Sequence, residues 1–446
     1  MMMHNKTRQI ALWALILLSL AGTAQAQNGF NIPYSQFGLG ESCMSSSMPY
    51  VFGMGGVVYS RSSRNVVNPF NPASYAAVEP ESFVFDLGMT VQTCTLRQGD
   101  NTLRDADGNI SHVAIAFPIT RWWKTAAGIM PYSDVSYESV YTSADPLTLS
   151  DVKTIYAGNG GATQIFWGNA FNIGSRLSVG FNLDYLYGTI TRAITYDFQG
   201  SDTTYAVDSR RQKNTYINNL VFDFGLQYRQ PLGERHTLNI GLTCRTPRTM
   251  QVEEQALVYT FFGNNTSEYL LDTIFPAQGQ SDTYQSTLEQ PLTLGLGLAL
   301  ERNNRWQIAL DGYYSPFSGI KYTENPSINI FGQSALRYAD NYRLALGGEW
   351  MGNPDASSYW GRIGVRAGIF CNRGRLALGL GNDEYSLNEI GGGLGLALPM
   401  RKGRSVLNIS LGYSSFGRAD LLRRDCLTIG VSIGSCERWF SKRKYE

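Results

Sequence analysis

From Ser82 to the C-terminus the chain alternates apolar with small or polar side chains at a strict two-residue period, segment after segment. Leu427, Ile429, Val431 and Ile433 interleave with Thr428, Gly430, Ser432 and Gly434, and Leu292, Leu294, Leu296, Leu298 and Leu300 interleave with Thr293, Gly295, Gly297, Ala299 and Glu301. The same dyad runs through Leu407–Ser414, Leu220–Gln227, Leu177–Tyr185, Leu238–Cys244, Leu344–Trp350 and Ile363–Ile369. Such a pattern predicts strands with one apolar and one polar face, which suits a soluble sandwich as well as a barrel in lipid. Connection lengths separate the two. Short links fall at 120–122, 172–176, 231–235, 302–304, 352–358 and 401–403; longer ones fall at about 98–109, 133–161, 197–214, 263–285, 316–335, 372–384 and 418–424. Six short and seven mostly longer links make 13 connections and 14 strands. An even number of antiparallel strands, tight at one rim and long-looped at the other, is the pattern of an outer-membrane barrel. The expected fold is therefore all-β: a 14-stranded antiparallel transmembrane barrel over 82–440.

Composition narrows the partners. The 446 residues carry 37 Lys plus Arg against 36 Asp plus Glu, and the sequence pI is about 7.5, so no basic surface exists for nucleic acid. Aromatics at 12% spread along the chain exclude disorder. At the start, Lys6 and Arg8, the apolar run Ile10–Ala21 and the small-x-small box Ala24-Gln25-Ala26 predict a cleaved export signal over 1–26. Its apolar run is shorter than the roughly 20 residues a spanning helix needs. Arg438-Trp439-Phe440 gives the last strand the aromatic ending that barrel-insertion machinery reads, followed by a basic periplasmic tail over 441–446. The expected location is the outer membrane of a Gram-negative cell, with its lipids and the barrel-assembly machinery as partners during insertion.

Residues 27–81 precede the first strand. A barrel this wide leaves a channel if its lumen is empty. The turn-rich stretch containing Gly53-Met54-Gly55-Gly56 and Asn68-Pro69-Phe70-Asn71-Pro72-Ala73 suits a luminal plug better than a separate domain, for which it offers too little core.

These features together resemble the FadL family of outer-membrane transporters for hydrophobic compounds. The resemblance rests on the export signal, a plug carrying Asn71-Pro72-Ala73, the strand count, and Val113–Pro118 followed by Gly128-Ile129-Met130-Pro131. The opening Asn31–Gly40 and the closing Trp439–Tyr445 resemble its Bacteroidetes-type branch. The resemblance implies capture of a fatty acid or aromatic hydrocarbon at extracellular loops, transfer past the N-terminal segment, and release sideways beside a kinked third strand. Carried onto this chain, the ligand-contacting set is Phe30, Ile32, Tyr34, Phe37 and Leu39, and the lateral-gate kink falls near Gly128 and Pro131. Pro131 also reads simply as a strand end, since it cannot donate to a ladder. Leu149, Val152 and Tyr156 share a face if the 133–161 loop is helical, as a capture patch or as a short helix resting on the rim.

Inward parity falls on Asp86, Asp184, Asp223, Glu301, Asp311, Glu349, Arg245, Arg343 and Arg366. Either they pair with one another and with the plug, or one arginine holds a substrate carboxylate. Ser111 beside His112 would face the other way on a regular strand. No nucleotide loop, nucleophile elbow or metal motif appears, so neither enzyme activity nor a cofactor is expected. Cys94 and Cys426 lie near the tops of the first and last strands with inward parity, which predicts a bridge across the closing seam. Two rival functions share the same lipid-facing band: a carrier or anchor subunit of a protein-secretion system such as type IX, and a structural barrel.

Overall fold

The computed structural model describes residues 32–36, 38–43, 48–144, 151–199, 207–264, 267–276, 281–302, 305–323, 336–380, 383–400, 404–418 and 420–438. The export signal, Phe30, Phe37, Leu149, the Trp439-Phe440 ending and the tail lie outside them.

The chain forms the expected closed barrel of 14 antiparallel strands. In order these are β1 (Ser82–Gln98), β2 (Asn101–Pro118), β3 (Trp123–Ala144), β4 (Asp151–Ile173), β5 (Leu177–Gln199) and β6 (Asp208–Leu232). Next come β7 (His236–Arg245 continued by Arg248–Asn264), β8 (Thr283–Gln290 and Thr293–Arg302), β9 (Trp306–Ser315) and β10 (Asn341–Trp350). The last four are β11 (Gly364–Leu380), β12 (Asp383–Met400), β13 (Ser405–Gly417) and β14 (Arg423–Arg438). β14 pairs back onto β1 from Ser82↔Arg438 to Arg97↔Arg423, which closes the cylinder. The breaks in β7 and β8 fall at Pro247 and Pro291, where the missing N–H interrupts a ladder.

The barrel is inside-out relative to a soluble core. Leu294, Leu296, Leu298, Ile308, Leu310, Leu344 and Leu346 are exposed on the outer face, while Asn182, Asp184, Asn408, Ser410, Thr428 and Ser432 are buried on the inner one. An apolar band of this extent is stable only where lipid covers it. Closure pairs the backbone around the ring, as a membrane span requires.

Several expected loops are strand. β1 and β2 meet at a tight turn around Gly99, not across a loop at 98–109. β3 and β4 stay paired up to Ala144↔Asp151, and β11 and β12 up to Leu380↔Asp383, which replaces most of 133–161 and 372–384. Above the lipid neither face must be apolar, so the two-residue alternation lapses while the hydrogen-bonded ladder continues. The expected helical face therefore does not exist: Val152 and Tyr156 stand on β4, opposite Ser143 and Ser139.

Candidate functional site

The residues between 48 and 78 contact the inner wall on many sides. Pro49–Phe52 forms a single helical turn, and Pro72–Ala77 a 3₁₀ helix. Asn71 caps the latter: its side-chain oxygen accepts from Ala73 N at 3.1 Å, and Pro72 occupies the first turn, where no N–H is needed. Asn71 Nδ2 donates to Tyr59 O at 2.6 Å. A Cβ on Gly225 would come within 2.2 Å of Asn71 Oδ1, so only glycine on β6 lets this motif lie against the wall. Tyr75 Oη donates to Asn182 Oδ1 at 3.0 Å, and burial raises its pKa well above the usual range.

The inward charges meet this segment and one another. Asp311 Oδ2 accepts from Val58 N at 2.5 Å and Tyr59 N at 2.6 Å. Glu349 joins Arg61 at 2.5 Å to Arg366 at 2.6 Å, and both guanidinia lie over the Tyr50 ring, at 4.1 and 4.4 Å from its centre. Arg343 Nη2 donates to Gly55 O at 3.1 Å. Arg245 pairs with Asp223 at 2.6 Å.

Above these contacts lies a cavity of about 180 Å³. Its lining includes Tyr59 and Phe70 from the N-terminal segment and Met130, Pro131 and Tyr132 from β3. At this height β3 leaves β2. The two strands pair only from Pro118↔Lys124 to Val113↔Ile129, whereas β3 and β4 continue to Ala144. The register of β3 shifts between Pro131 and Ser133, so Tyr132 is the extra residue. Gly128 sits in the regular ladder below, opposite Ala114; the irregularity follows Pro131. Beyond it the edge of β3 takes up the N-terminal segment: Glu41 and Ser42 pair with Asp134 and Ser133, and Ile32 N donates to Ser136 O at 2.5 Å.

The other sequence-derived residues divide by position. Tyr34 lines the cavity, with its hydroxyl on Leu422 O at 3.1 Å and its ring edge-on to Phe416. Ile32 covers Cys94 and Cys426, which are joined by a disulfide between β1 and β14. Leu39 packs higher, with Val135, Tyr137, Leu186 and Ile190. Val152 is buried and Tyr156 is exposed, and neither lines the cavity. Sequence reasoning missed Met130 and Tyr132. It also placed Ser111 and His112 on opposite faces, although both are buried inside, 3.0 Å apart. A signal was present: outward apolar residues run at odd positions over Val113, Ile115 and Phe117 but at the even position Ile110, a slip of one residue.

The fold defines an outer-membrane-type β-barrel of the FadL-like kind. The chain belongs to the BamG family, which it matches over residues 7–446. Among solved structures it is similar to the CymD monoaromatic hydrocarbon channel, at 14% identity and a TM-score of 0.53, covering 91% of this chain and 99% of that one. It is also similar to a Pseudomonas aeruginosa FadL homologue, at 11% identity and a TM-score of 0.54, covering 88% and 98%. The Ralstonia pickettii toluene transporter TbuX gives 13% identity and a TM-score of 0.53, covering 88% and 98%. At these identities the likeness is one of fold. No curated protein matches the chain.

Proposed function

We propose that this barrel passes small hydrophobic molecules, long-chain fatty acids or aromatic hydrocarbons, from the outside into the outer membrane by lateral release. The observation that carries the reading is the parting of β2 from β3 above Val113 and Ile129, beside a cavity lined by Met130, Pro131 and Tyr132. An apolar solute loses about 0.8 kcal/mol per CH₂ on returning to water. A side exit from a mostly apolar cavity into lipid avoids that loss, and a water-filled pore does not. In this reading the segment 27–81 is the plug. Its buried links to Glu349, Asp311 and Asp86 keep it seated while solute passes above it. Tyr34 contacts the solute, Pro131 forms the kink, and Tyr156 is part of the outer capture surface. The export signal is removed before insertion. The test is uptake by liposomes carrying the purified barrel, comparing a fatty acid with an aromatic hydrocarbon; equal rates with empty liposomes would overturn the reading.

A second reading is favoured by membership of the BamG family, a name that points to barrel assembly. Here the barrel is an accessory subunit beside the assembly machinery, and its cavity is a remnant of the shared fold. Solvent extraction of purified protein separates the two. Fatty acid or hydrocarbon in the extract supports transport, whereas an empty cavity together with co-purifying assembly proteins supports the accessory role.

A further inference from the structure

The network of Ser111, His112 and Asp86 has the composition of a hydrolase triad, yet all three are essentially inaccessible and none lines the cavity. Its place in the ladder points to another role. β1 and β2 pair Gly88 with His112 and then Met89 with Ile110, so Ser111 is an inserted residue with no opposite number on β1. A bulge of this kind bends its strand and increases the local twist. It also turns Ser111 and His112 inward together. Gly88 is what admits them, because a Cβ there would lie 2.4 Å from both Ser111 Oγ and His112 Cε1.

Position gives the bulge its consequence. The last residue of β2 paired with β3 is Val113, adjacent to His112. At the same height β3 carries its own irregularity, against β4, between Pro131 and Ser133. Each strand thus bends while keeping its ladder with its outer neighbour, and the shared ladder between them ends. The network then reaches the N-terminal segment: Ser111 Oγ lies 3.0 Å from His112 Nδ1, His112 Nε2 lies 3.1 Å from Asp86 Oδ1, and Asp86 Oδ2 accepts from Val67 N at 3.1 Å.

We propose that Ser111, His112 and Asp86 are positioning residues that hold the β2 side of the lateral opening away from β3, and that seating of the N-terminal segment on Asp86 steadies that opening. The proposal rests on the lateral-release reading only for its functional meaning; the geometry can be tested separately.

The experiment places spin labels at Thr102→Cys on β2 and Val140→Cys on β3 in the full barrel in liposomes. Cys43, Cys244, Cys371 and Cys436 are replaced by Ser, and the Cys94–Cys426 bridge is kept. Deleting Ser111 leaves every other β1–β2 pair in register, because Gly88↔His112 and Met89↔Ile110 become consecutive. The label-to-label distance is expected to fall by about 5 Å, one strand spacing. Asp86→Ala, which keeps the bulge but frees Val67 N, is expected to broaden the distance distribution, and it decides the matter alone if the deletion does not fold. An unchanged distribution in both variants, or in Asp86→Ala where the deletion does not fold, overturns the proposal whatever uptake does. A narrowed opening with undiminished uptake leaves the positioning role standing and removes the lateral-release reading.

Discussion

Arg61 Nη2 donates to Glu349 Oε2 across 2.5 Å, joining the N-terminal segment to the inner face of β10, and both side chains are almost wholly buried. The same carboxylate accepts from Arg366 Nε on β11 at 2.6 Å, and Arg366 Nη1 donates to Asn408 Oδ1 on β13 at 2.9 Å. One acid therefore holds two cations at once and links the N-terminal segment to β10 and β11. Burial raises the pKa of the adjoining Tyr50 phenol, and the nearby Arg61 pulls it back toward ionisation.

Removing that acid should be costly. Glu349→Ala takes away the carboxylate bonded to two buried guanidinia, and breaking a buried pair from one side costs about 3–5 kcal/mol. The folded barrel migrates faster than the denatured chain on cold gels, so the temperature at which the compact band disappears measures the loss. A melting temperature equal to that of the parent protein would show that the network is not a fastener. Arg61→Met should be milder, since it removes a charge and leaves Glu349 paired with Arg366.

Asn71→Ala tests the segment at its other end. It removes the cap on Ala73 N and the donor to Tyr59 O while adding no bulk beside Gly225. Loss of an N-cap costs about 0.5–2 kcal/mol, and the second bond adds to it. Faster proteolysis within 48–78, with the barrel band intact, is the expected result. Unchanged cleavage would separate the motif from the seating of the segment.

The seam between β1 and β14 is checked through its thiols. With the Cys94–Cys426 bridge in place, neither residue should react with an impermeant maleimide until reductant is added, whereas Cys371, which is exposed, has a free thiol. Cys94→Ser paired with Cys426→Ser should lower the heat resistance of the barrel by the equivalent of about 2–4 kcal/mol. Labelling of both cysteines without reductant rules the bridge out.

Transport is addressed at β3 and β4. Pro131→Ala restores a backbone donor where the ladder shifts register, so on the lateral-release proposal β3 straightens and the side exit narrows. Uptake should fall several-fold with little change in heat resistance. Tyr156→Ser lies on an exposed surface, where substitutions usually stay within about 0.5 kcal/mol of the parent. A decrease in uptake there assigns capture to the outer part of β4, and no decrease removes Tyr156 from the pathway.

The sequence by itself determined the barrel. Lipid on one side and a wet lumen on the other impose a local period of two, so residues such as Leu294, Leu296 and Leu298 disclose which face meets the membrane without knowledge of any distant contact. Around Asn71-Pro72-Ala73 the sequence showed a turn, and the structure made Asn71 the cap of a 3₁₀ helix. Above the lipid the constraint lapses, and the long hairpins of β3–β4 and β11–β12 left no alternation to read. Tertiary structure alone decided the site. Arg61 finds Glu349 across 288 residues, a pairing no local pattern announces, whereas the meeting of Cys94 with Cys426 was already expected from their places on the first and last strands. The register slip at Ser111 belongs with the first of these, a single inserted residue whose effect on parity is small in the sequence and which shows only once the neighbouring ladder fixes the pairing.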